Sequence, residues 1–132
     1  DDIQRRIDEV VAGFSERTIG VHIRRTDNVV SIQSSPLENF TNMMNAEIKK
    51  KANTKFYVAS DDDEVKESLK TKYPDRIITL MDDTDRNSLE GMKFAVVDLF
   101  CLSKTRKIIG SVASSYSQIA AEIGGIEIEY AK

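Results

Sequence analysis

His22 and Arg24 stand two residues apart in the run Val21-His22-Ile23-Arg24-Arg25-Thr26-Asp27. The segment from Thr18 to Arg25 is short, apolar and rich in β-branched residues, which predicts a strand. Alternation then puts His22 and Arg24 on one face, with Val21, Ile23 and Arg25 on the other. A guanidinium at a strand tip needs compensation, because a buried charge that loses its partner costs about 3–5 kcal/mol. A pyrophosphate would compensate Arg24 through a two-bond fork. An internal ion pair would do so too, for example one between Arg25 and Asp27 or Asp98. Arg25 reads as the structural member of the two arginines.

A second group is Ser111 with Ser114-Ser115-Tyr116-Ser117-Gln118. Amides exposed at a helix start, with hydroxyls beside them, suit a phosphate. Plain capping is the alternative, and several serines where one would suffice tilt the reading toward an anion. Asp98 lies inside the apolar stretch Phe94-Ala95-Val96-Val97-Asp98-Leu99-Phe100-Cys101-Leu102 and needs a donor. Guanine would offer its ring N–H and amino group in two parallel bonds; a salt bridge to Arg24, Arg25 or Lys104 is the simpler reading. Ser60-Asp61-Asp62-Asp63 has the carboxylates for Mg²⁺. It reads better as a helix start, where acids are favoured, with Asp61 bracing the site. Asp82, Asp83 and Asp85 read as a solvated loop. There is no GxGxxG motif and no Walker loop.

These groups need elements to hold them. Ile3, Ile7, Val10, Val11 and Phe14 recur at helical spacing and predict a helix over about 2–14. Ser35-Pro36 reads as a cap followed by proline at the first helical position, opening a helix to about 52. Strands are expected at 55–60, 76–81, 107–110 and 126–130. Helices are expected from Val65 to Tyr73, stopped by Pro74, from a Ser88 cap to Ser103, and from Ser115 to Ile123, closed by Gly124-Gly125. Strands alternating with helices predict an α/β, three-layer Rossmann-like domain with a five-stranded, mostly parallel sheet. Ligands of such sheets bind beyond the carboxyl ends of the strands, where the strand order reverses.

The 132 residues suit a single domain, and 40% apolar with 31% charged side chains is a globular balance. A net charge of −3, with no basic run longer than Lys49–Lys51, argues against nucleic acid as a partner. No apolar stretch approaches the length of a membrane span. The one cysteine, Cys101, forms no internal disulfide and reads as core. The abrupt start at Asp1-Asp2 suggests a fragment of a longer protein. The sequon Asn39-Phe40-Thr41 carries little weight.

Taken together, the chain resembles the donor-binding domain of the α-1,6-fucosyltransferases and the related nodulation fucosyltransferases. Gly20-Val21-His22-Ile23-Arg24-Arg25-Thr26-Asp27 is similar to the family's first signature, and Phe56-Tyr57-Val58-Ala59-Ser60-Asp61-Asp62 to its second. Asn87-Ser88-Leu89-Glu90-Gly91, the stretch Asp98 to Ser103, and Ser115-Tyr116-Ser117-Gln118 are similar to the last; Lys70-Thr71-Lys72-Tyr73-Pro74 also recurs. The likeness spans about residues 19–123, with order and spacing kept.

The resemblance implies the nucleotide-sugar half of a GT-B-type glycosyltransferase that inverts configuration at the sugar. GDP-fucose would be the donor and a glycan the acceptor, with no metal or other cofactor, and an amino-terminal domain of the same protein would complete the cleft. Arg24 would bind the β-phosphate and act in catalysis, supported by Arg25. Ser117 would add a hydroxyl, with Ser115 and Gln118 in the same site. His22 and Asp98 would recognise guanine, and Asp27 and Asp61 would brace the whole. The compartment would be the cytoplasm in a bacterium and the secretory lumen in a eukaryote. Where the α-1,6 members carry a Lys after the signature Asp and a proposed Glu base further on, this sequence has Asn28 and, roughly, Ile32; Glu38 lies on the next helix. Two other classes compete: a non-catalytic nucleotide- or anion-binding module, and a flavodoxin-like or receiver domain built on Asp61–Asp63 with Asp82 as phosphoacceptor.

Overall fold

A computed structural model describes residues 2–24, 33, 35–80, 89–112 and 114–132, with the backbone alone at 89 and 90. Its elements are α1 (Asp2–Val11), β1 (Thr18–Ile23), α2 (Leu37–Lys50), β2 (Lys55–Ser60), α3 (Asp63–Lys72), β3 (Ile77–Ile78), α4 (Leu89–Ser103), β4 (Lys107–Gly110), α5 (Ser115–Gly124) and β5 (Glu127–Tyr130). The five strands form one sheet in the order β3-β2-β1-β4-β5. Every pairing is parallel, with Val21 opposite both Val58 and Ile109. The order reverses between β1 and β4, so a crevice is expected beyond their carboxyl ends. A flavodoxin-like sheet would run 2-1-3-4-5, so the observed order corrects the receiver-type alternative. The Asp82 on which that alternative leaned lies outside the described residues.

Alternation along the strands divides the core in two. Ile19, Val21, Ile23, Phe56, Val58 and Ile109 pack against Phe40 and Met44 of α2 and Val65 and Leu69 of α3. Tyr57, Ala59 and Ile108 pack on the other side against Ile7 of α1, Val97, Cys101 and Leu102 of α4, and Ala120 and Ala121 of α5. Both sheet faces are covered, as a parallel sheet requires.

Several expectations shift in detail. β3 is expected over 76–81 but pairs only at Ile77–Ile78, because the Thr79 hydroxyl, at 2.6 Å, takes the Val58 carbonyl that a further ladder bond would use. Ser35 does not cap α2; Pro36 itself holds the cap position at ψ 154°, and the Ser35 hydroxyl accepts the Val112 N–H at 2.8 Å. The last helix runs through Gly124, and Gly125 closes it in the left-handed region at φ 64°.

At the amino-terminal end of the sheet a buried ion cluster ties α2 to the strands. Lys107 Nζ lies 2.7 Å from Glu47 Oε2 and also bonds Glu129, while Arg17 Nη2 lies 3.5 Å from Glu47 Oε1. Burial alone would raise the Glu47 carboxyl, but the Lys107 and Lys50 ammoniums outweigh it and hold it below its ordinary 4.5. Burial alone would lower Lys107, and Glu129 and Glu47 hold it above its ordinary 10.5. The carboxylate's contribution is therefore present above pH 4.5 and lost as pH falls through its lowered folded value; the ammonium's is present below 10.5 and lost as pH rises through its raised one. Glu47→Gln should lower unfolding free energy near neutral pH by about 1.5–3 kcal/mol, the size of a hydrogen bond to a charged group. Urea titrations across pH should show that deficit shrinking in acid; a deficit constant with pH would mean lost packing instead.

Candidate functional site

The end of β1 is held by hydroxyls from both neighbouring strands. Beyond the last ladder bonds, Ser111 Oγ donates to the His22 carbonyl at 3.0 Å and accepts the Arg24 N–H at 2.9 Å. From β2, Ser60 Oγ donates to the Ile23 carbonyl at 2.7 Å. Side chains thus continue the sheet where backbone pairing stops, and they fix the residue that carries the guanidinium. Ser111 therefore braces β1, which corrects its reading as one of a phosphate-facing serine group.

A cavity of about 150 Å³ opens beside this point, lined by His22, Arg24, Ala59, Ser60, Asp61, Gly91, Phe94, Ala95, Asp98 and Tyr116. It sits at the carboxyl ends of β1 and β2, beside the reversal and walled by the helices α4 and α5. Its volume matches cavities that take a single aromatic ring. Arg24 Nε lies 3.6 Å from Asp61 Oδ2, with the Asp61 side chain 3% exposed and that of Arg24 23% exposed. Asp62 is the cap of α3, accepting the Glu64 N–H at 2.9 Å, so the acidic run is a helix start with Asp61 turned to the arginine. The His22 and Tyr116 ring centroids are 4.8 Å apart. Asp98, 5% exposed, receives the Tyr57 hydroxyl on Oδ1. Burial, and then the nearby Asp98 carboxylate, push the Tyr57 phenol well above its ordinary value. The same two causes push the Cys101 thiol up to about 12, so it stays protonated and is no nucleophile.

The structure thus gathers His22, Arg24, Asp61 and Asp98 of the residues singled out from sequence. The three from α5 lie elsewhere. Ser117 is fully buried; its Oγ would be 2.7 Å from a Cβ on Gly110 and has no hydrogen-bond partner among the described residues. It does not line the cavity, so its expected convergence with Arg24 is corrected. Ser115 and Gln118 line a separate, open depression with Val112, Ser114, Tyr130 and Lys132. Arg25, Asp27, Asn28 and Ile32 lie outside the described residues, as does the expected Ser88 cap. Tyr57, Phe94 and Tyr116 were not singled out in their own right. Tyr57 could be found only through the need of Asp98 for a donor. No group of His, Cys, Asp and Glu suited to a metal occurs among the described residues, and no helix among them is long and apolar enough to cross a membrane.

No family model matches the sequence. Solved structures do. The fucosyltransferase NodZ from Bradyrhizobium superposes with a TM-score of 0.66 at 20% identity, over 91% of this chain and 41% of that one. NodZ α-1,6-fucosyltransferase soaked with GDP-fucose gives 0.66 at 23% identity, over the same shares. POFUT1 in complex with GDP-fucose gives 0.65 at 13% identity, over 98% of this chain and 46% of that one. The chain has the parallel α/β fold found in these fucosyltransferases and spans less than half the length of each.

Proposed function

We propose that this chain is the nucleotide-sugar-binding domain of a glycosyltransferase, with GDP-fucose as donor for inverting transfer to a glycan. The observation that carries this reading is the grouping of His22, Arg24 and Asp98 around one cavity at the carboxyl ends of the strands. The likeness of fold to two fucosyltransferases, one soaked with GDP-fucose and one in complex with it, supports it.

In this reading the cavity takes the six-membered ring of the guanine, and the diphosphate lies at its mouth against Arg24. Asp98 accepts the ring N–H and the amino group of the base; His22 and Tyr116 flank it. As the bond from fucose to the diphosphate breaks, negative charge grows on the departing phosphate oxygens. Arg24 meets that charge with a fork of donors already fixed through its backbone and Asp61. Its stabilisation grows toward the transition state, which is what accelerates a reaction. Arg25 and Asp27 are proposed as further support for the donor. The proposal needs neither a metal nor a cofactor. A second domain would bring the acceptor and the base that takes its proton.

Calorimetry of the full chain tests the donor assignment. GDP is expected to bind at least about tenfold more tightly than ADP or UDP, the worth of one to two net hydrogen bonds at the base. Asp98→Asn should erase that preference, since the amide presents one acceptor and one donor in place of two acceptors. Equal binding of the three diphosphates by the wild-type chain would sink the reading.

A further inference from the structure

Asp98 faces two ways. It lines the cavity, yet its Oδ1 is bonded from behind by the Tyr57 hydroxyl, and Tyr57 is not among the residues that line that space. The terminal torsion of an aspartate is broad and nearly two-fold, so a carboxylate plane is not fixed by its own rotamer. Two parallel bonds to a base edge, however, require that plane to lie with the base.

The phenol is well placed to fix that plane. Tyr57 sits in the middle of β2, paired with Gly20 of β1 on one side and Ile78 of β3 on the other. Its side chain is fully buried, and its ring centroid is 5.5 Å from that of Phe14. A hydroxyl on a rigid ring in a doubly paired strand has little freedom, unlike a lysine or arginine in the same role.

We infer that Tyr57 is a positioning residue that sets the Asp98 carboxylate for a purine bearing a 2-amino group. The inference rests on the donor-site reading above and adds to it a source of base selectivity outside the cavity. The phenol stays protonated because its own titration is pushed well upward, first by burial and then by Asp98, so it continues to donate.

The test compares GDP, inosine diphosphate and inorganic pyrophosphate by calorimetry, on the wild-type chain and on Tyr57→Phe. Inosine diphosphate differs from GDP only in lacking the 2-amino group. The wild type should prefer GDP by about tenfold, one net hydrogen bond to a charged acceptor. Tyr57→Phe should bring that preference below about threefold while pyrophosphate affinity stays within about twofold. A preference unchanged in Tyr57→Phe overturns the positioning role and leaves the donor reading standing. Equal loss of all three ligands also overturns it, because that marks a general structural role. A wild type without preference between GDP and inosine diphosphate overturns it together with the Asp98 assignment. Should Tyr57→Phe fail to fold, the wild-type Tyr57 ring-carbon NMR resonance decides: it should move on adding GDP and not on adding pyrophosphate. A resonance that moves equally with both, or with neither, sinks the inference.

Discussion

Arg24→Ala is expected to weaken GDP binding by about 10- to 150-fold, which is about 1.5–3 kcal/mol for hydrogen bonds between charged groups. The effect should be large because Arg24 arrives at the cavity pre-set. Its backbone N–H is held by Ser111, and Asp61 Oδ2 lies 3.6 Å from its Nε. A fixed cation loses little freedom on meeting a diphosphate, so more of the interaction appears as affinity. Arg24→Lys should recover only part of the loss, because an ammonium keeps the charge but not the planar fork. Calorimetry with GDP and with pyrophosphate checks this, and both should weaken together. GDP affinity unaffected by Arg24→Ala would place the diphosphate somewhere other than at this strand tip.

The largest effect on stability is expected at Gly124. A Cβ built there would come within 2.1 Å of the Ser103 carbonyl oxygen and 3.0 Å of its carbonyl carbon. Those are backbone atoms of α4, so no rotamer change relieves the clash; one helix end must move. Gly124→Ala should cost about 3 kcal/mol or more, the upper range for overpacking, and lower the melting temperature on the order of 10 °C. Gly125 is the internal control. It lies at φ 64° with nothing within 4 Å of a built Cβ, so its alanine variant pays only the left-handed backbone cost of about 1–2 kcal/mol. Thermal melts of the two variants should therefore rank Gly124→Ala as much the worse. The reverse ranking would mean that α4 and α5 do not meet at this point. Because α4 carries Asp98 and α5 carries Tyr116, Gly124→Ala should also weaken GDP binding in the fraction that folds.

Much of this was legible in the sequence, for identifiable reasons. The limits of β2 and β4 follow from short apolar runs bounded by turn residues, and both are found where the pattern puts them. That His22 and Arg24 share a face is a matter of strand alternation alone. Asp61 could be connected with them because parallel pairing brings the end of β2 beside the end of β1. The α5 serines were not legible. In sequence Ser115, Ser117 and Gln118 look like one polar cluster, but a helix turns about 100° per residue. Residues 115 and 118 therefore point outward together, while 117 points into the sheet at Gly110. Tyr57 was hidden for another reason. A buried tyrosine in a strand is ordinary core, and its link to Asp98 exists only once α4 is laid across β2.

The place of β1 in the sheet has a consequence for how the molecule comes to exist. Its partners are β2, which follows closely, and β4, which is made from the far part of the chain. The cavity walls come from residues 22–24, 59–61, 91–98 and 116. No contiguous stretch shorter than about three-quarters of the molecule contains them all, so neither half of the chain carries the whole crevice. Contacts of such long sequence separation are slow to close, because loop entropy must be met before they give anything back. The cavity is walled only when α4 and the start of α5, from the far part of the chain, pack over the ends of β1 and β2.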